Sequence, residues 1–164
     1  MHRLSPLQQC TSLSYRTTTL AAVITAMTFA ASGAAPTPLY HHYQEAFGLT
    51  PFMLTLIFGA YVLSMLGALL TVGSLSDYIG RRPAILAALW LNVVAMVMFI
   101  SADSAAALIA ARSVQGFATG LATATLGAAT MDTDRSRGPV LNSITAFVGL
   151  TAGSLGAGAL VTYA

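Results

Sequence analysis

Apolar residues run through this chain in long unbroken stretches, separated by short segments that carry nearly all of its charge. A helix crossing the hydrocarbon core of a bilayer needs ~20 mostly apolar residues. Five stretches approach or reach that length, and each predicts a spanning helix. The first runs from Thr17 to about Ala35, closed by Pro36 and Pro38. The second, Pro51 to Val72, and the third, Pro83 to Ile100, open with proline, which the first helical turn accommodates. The fourth runs from Ser104 to Ala129 with Asp103 or Ser104 as its cap. The fifth starts at Pro139 and is still apolar at Ala164.

Composition agrees with this pattern. Hydrophobic residues make up 56% of the 164 residues and charged ones 7%, against about a quarter charged in soluble domains. So little charge cannot cover a soluble surface, and the fold class expected is all-α, a polytopic membrane helix bundle in the lipid bilayer. Cys10 stands alone, so the chain builds no disulfide or cysteine-based metal site. No cofactor is implied. No nucleophile–base pair or phosphate-binding loop is present, so an enzyme is not expected. The arginines sit in small groups between apolar runs, which is no signature of nucleic-acid binding.

Charge placement sets an orientation. Arg3 and Arg16 precede the first span, Arg81 and Arg82 separate the second and third, and Arg135 and Arg137 separate the fourth and fifth. The loops Pro36–Thr50 and Ser101–Asp103 hold no Arg or Lys. The positive-inside rule then places the amino terminus and both basic loops in the cytoplasm. Loop Pro36–Thr50 mixes Tyr40, Tyr43 and Phe47 with His41 and His42; its tyrosines suit the interface, while two adjacent histidines fall short of a metal site.

Two places concentrate chemistry. In GSLSDYIGRR, Gly73 and Gly80 allow a tight reversal, and Asp77 and Arg81 are spaced to pair on one helical turn; a basic turn that only fixes topology is the simpler reading. In the fourth span Arg112 lies nine residues beyond Asp103, about 13 Å along a helix. An ionisable residue near mid-membrane marks a functional site unless packing alone explains it. Gln115, Gly116, Thr119, Gly120 and Thr123 share its face, and Gly116-x-x-x-Gly120 suits close helix packing. The fifth span adds Gly149, Gly153, Gly156 and Gly158 on a bare face, for which packing is again the plain explanation.

Gly73-x-Leu75-Ser76-Asp77-x-x-Gly80-Arg81-Arg82 closely resembles the loop between spans two and three of the major facilitator superfamily, and it falls at the same place in the chain. The resemblance implies a cytoplasmic gate, with Asp77 docking on a helix amino terminus and Arg81 in an inter-span charge network. Tyr78 departs from the family's arginine and leaves one member of that network in doubt. Arg112-x-x-Gln115-Gly116 resembles the family's span-four motif, which implies a part in energy coupling and the central cavity. Gly149-x-x-x-Gly153 is similar to the span-five motif of the drug-antiporter branch, with Ser154 replacing its proline and Ala157 preceding Gly158. Pro36-Thr-Pro-Leu-Tyr40 looks like drug-efflux members as well.

The resemblance implies export of an unidentified small-molecule substrate, coupled to an ion gradient, with protons the candidate ion. Every Asp and Glu (Glu45, Asp77, Asp103, Asp132, Asp134) lies in a loop or at a membrane edge, so a titrating acid is expected from elsewhere. Family members have about twelve spans in two six-helix halves. Five spans imply a truncated amino-terminal half that needs the carboxyl-terminal one. The alternative is a non-transporting membrane protein that assembles with a partner through its glycine faces.

Overall fold

The computed structural model describes residues 6–36, 48–73, 78–133 and 138–163. Asp77, the His41–His42 pair, Tyr40, Arg135 and Arg137 lie outside these. The described residues form five helices and no strand: α1 (Pro6–Ala34), α2 (Pro51–Val72), α3 (Arg81–Ile100), α4 (Ala105–Thr133) and α5 (Gly138–Tyr163). Three are long and apolar enough to cross a membrane: α2, α3 and residues Ser143–Leu160 of α5, with mean hydropathies of 2.1, 2.3 and 1.4.

Local chemistry fixes the helix starts. Thr50 caps α2, its hydroxyl accepting from the Met53 N–H at 3.3 Å, with Pro51 at the first position. Ser104 caps α4 in the same way, accepting from the Ala107 N–H at 3.3 Å. α1 begins at Pro6, well before the expected Thr17, and α3 begins at Arg81 rather than Pro83. Pro83 sits within the first turn, where its missing N–H has no helical acceptor to serve. Gly80 supplies the break, with φ 90° and ψ 154°. It interrupts the continuous helical turn expected through Arg81. Gly73 is right-handed (φ −55°), so the reversal uses the left-handed freedom of Gly80 and not of Gly73.

Packing makes α4 the axis of the bundle. It touches each of the other four helices, most extensively α2 and α3, while α5 lies mainly against α1. From α3 the stripe Ala84, Ala88, Asn92, Ala95 and Phe99 is buried. Its small side chains suit the close approach to α4. Phe29, Ala88, Ala118, Leu121, Ala122 and Leu126 form one buried cluster. Leu49, Ile57, Phe99, Leu108 and Ala111 form a second. Outward faces are apolar: Leu63, Leu66 and Leu70 of α2 and Trp90 of α3 are exposed.

The central position explains why α4 itself falls short of a membrane span by composition. A helix enclosed by four others has little surface for lipid, so Ser, Thr, Gln, Gly and one Arg are tolerated within it.

Candidate functional site

Small residues bring the helices close enough for their polar groups to meet. A Cβ on Gly116 would collide with the Tyr61 carbonyl of α2, and one on Gly120 would lie 2.6 Å from the Met65 carbonyl oxygen and 2.8 Å from Ala68 Cβ. Both glycines are therefore spent on the α2–α4 contact. On the other side of α1, a Cβ on Gly149 would lie 2.7 Å from Ala30 Cβ, and one on Gly153 would strike the Ala31 backbone. Gly156, expected on the same packing face, points elsewhere: a Cβ there meets nothing within 4 Å, and neither does one on Gly158. Ala157, four residues after Gly153, is the buried residue beyond it among the described residues of α5, so the face that Gly149 and Gly153 begin continues through Ala157.

Inside this framework Arg112 is 2% exposed and Gln115 fully buried. The Arg112 Nη1 donates to Gln115 Oε1 at 2.6 Å and to the Gly33 carbonyl of α1 at 3.3 Å. Gln115 Nε2 donates to the Ser32 carbonyl at 2.8 Å. Three rings surround the guanidinium: Phe58 and Tyr61 of α2 and Phe99 of α3, with centroids 5.5, 5.4 and 5.5 Å from Cζ. Each contact places the cation within the range of attraction to an aromatic face. The Ser32 hydroxyl lies 2.9 Å from the Phe29 carbonyl and 3.2 Å from Oδ1 of buried Asn92 in α3. The charge thus sits where α1, α2, α3 and α4 meet.

Along the bundle its neighbours bracket it: Gly33 and Phe99 are each one residue from the end of their helix, whereas Phe58 and Tyr61 lie seven and ten residues inside α2. The guanidinium is thus in the half of the bundle away from Arg81 and Arg82. Helical side chains lean towards their own amino terminus, and that of α4 lies at this end.

The remaining candidates occupy other places. Thr119 donates its hydroxyl proton back to the Gln115 carbonyl at 2.9 Å. Thr123, further along the expected face, is exposed. Arg81 and Arg82 open α3, whose first turn contains no acidic residue. Cations at a helix amino terminus oppose its dipole, so helix stability is not the reason for their placement. Sequence reasoning assigned no role to Phe58, Tyr61, Phe99, Ser32 or Gly33. Backbone acceptors leave no mark in a sequence, but Phe58 and Tyr61 stand three apart on one helix face.

An all-helical bundle with lipid-suited outer faces and a charge enclosed at a four-helix junction defines a multi-pass membrane protein. The family model of the Major Facilitator Superfamily matches residues 19–164. The chain belongs to that family, whose members are membrane transporters. No curated protein and no solved structure matches it significantly.

Proposed function

We propose that the chain serves export of small, drug-like molecules across the cell inner membrane, driven by an ion gradient with protons as the coupling ion. The amino terminus and the Arg81–Arg82 turn face the cytoplasm in this reading, following the distribution of arginines. Gly73, Gly80, Arg81 and Arg82, at the end of the bundle opposite Arg112, belong to the cytoplasmic gate in this reading, and the motif assigns Asp77 to it as well.

The Arg112 junction carries the proposal. Its guanidinium touches α1 through Gly33, α2 through Phe58 and Tyr61, and α3 through Phe99. Movement of any of these helices against α4 changes its surroundings, as a residue that couples conformation to charge requires. Secondary transporters work by rocking one helical half against another about a central site. Transport in this reading needs a second bundle, from the same chain or another, and that bundle supplies the titrating carboxylate. The alternative of partner assembly through glycine faces loses support where Gly116, Gly120, Gly149 and Gly153 are engaged within the bundle.

The test is ethidium efflux from cells carrying the native gene. Energised cells should clear the dye, a protonophore should stop them, and Arg112→Ala should abolish clearance while the protein still reaches the membrane. Normal efflux by the Arg112→Ala variant would sink the assignment.

A further inference from the structure

In an α-helix the carbonyl of residue i accepts from the N–H of residue i+4. At the end of α1 that rule meets an obstacle. The Ala31 carbonyl accepts from the Ala35 N–H at 2.9 Å. The Ser32 carbonyl would take the next donor, but residue 36 is proline and has no N–H. Pro36 is itself buried, so water is a poor substitute. The donor comes instead from another helix: Gln115 Nε2, 2.8 Å away.

We propose that Gln115 is a positioning residue, standing in for the N–H that Pro36 lacks and thereby tying the end of α1 to the Arg112 guanidinium. The two ends of its amide do different work. The nitrogen can only donate, and it meets a carbonyl that can only accept. The oxygen can only accept, and it meets Arg112, which can only donate, at 2.6 Å. The amide orientation is thus forced from both sides. When the last turn of α1 shifts, the Ser32 carbonyl draws away, the amide is released to rotate, and Arg112 loses its shortest hydrogen bond. Asn92 supports the same turn from α3 through the Ser32 hydroxyl, 3.2 Å away. The importance of this link for transport rests on the function proposed above; its existence does not.

The discriminating variant is Gln115→Glu. An ionised glutamate still accepts from Arg112 but has no proton to give Ser32. Amide hydrogen exchange of the full chain in detergent, followed at residues 33–35, should quicken about tenfold as the orphaned carbonyl destabilises the turn. Adding Pro36→Ala supplies the backbone N–H and should return exchange to within about twofold of wild type. Pro51→Ala, at the start of α2, should give no rescue. That specificity separates positioning from general stability. If Gln115→Glu does not fold, Pro36→Ala alone decides: the restored N–H should slow exchange at the same amides, and no slowing overturns the proposal. Unchanged exchange in Gln115→Glu, or equal acceleration with and without Pro36→Ala, overturns it too. Exchange reads the backbone and not transport, so this result is independent of the ethidium assay.

Discussion

Replacing Arg112 with methionine separates a residue kept for folding from one kept for work. The change removes the charge while preserving a long flexible side chain. Two hydrogen bonds disappear, to Gly33 and Gln115, each worth about 0.6 kcal/mol between membrane helices. Three aromatic contacts disappear as well, at about 2 kcal/mol each for a desolvated cation, of which the methionine sulfur regains about 0.3–1.5 kcal/mol each against the same rings. Against a loss of about 3–6 kcal/mol stands the relief of no longer holding an arginine in the bundle, about 2.5–3.5 kcal/mol at a membrane centre. The net expectation is a destabilisation of no more than about 4 kcal/mol, or a fall in melting temperature of no more than about 8–16 °C for a protein of this size. Ethidium efflux should be lost entirely. Thermal unfolding in detergent, monitored by helical circular dichroism, measures the first quantity. A fall beyond about 20 °C would show that the arginine holds the bundle together, and the reasoning would fail.

Three further outcomes follow from the packing. Gly116→Ala drives a methyl into the Tyr61 carbonyl, a backbone atom that cannot swing aside; it should cost about 1–3 kcal/mol, read by the same melt. Gly153→Ala should destabilise through the Ala31 backbone, whereas Gly156→Ala, which meets open space, should be neutral or stabilise by about 0.5–1 kcal/mol; equal effects at the two positions would contradict the α1–α5 contact. Gly80→Ala forces a side chain into φ 90° at a cost of about 1–3 kcal/mol, and limited proteolysis should then cut the α2–α3 turn faster.

Much of the bundle was legible because membrane helices obey a single strong constraint of length and apolarity. Residues 51–72 show it most plainly, since Pro51 and Gly73 bracket a run without a charge. The shared face of Arg112, Gln115, Gly116 and Gly120 was also readable from spacing, because helical geometry fixes which residues stand together. What they touch was not. Ser32 and Gly33 contribute carbonyl oxygens, which every residue has, and Asn92 sits sixty residues from its partner Ser32. Yet one mark was present: a proline four places after Ser32 announces a carbonyl whose helical donor is missing. The depth of Arg112 was legible only for its Cα, because counting residues does not say where a long side chain carries its charge. Gly156 shows the same limit, since an abundance of glycines indicates closeness to something without saying which of them is used.

The enclosure of α4 also bears on how the protein is made. α2 and α3 are apolar enough to enter a bilayer on their own account, whereas α4 brings an arginine and a glutamine that lipid would reject. In chain order, α1, α2 and α3 all precede it. By the time α4 leaves the ribosome, the Gly33 carbonyl and the aromatic rings that will receive its charge have been synthesised. The helix that brings a buried charge thus arrives after most of the partners that admit it, and the order of synthesis becomes part of what lets a polar axis stand inside a bundle faced with lipid.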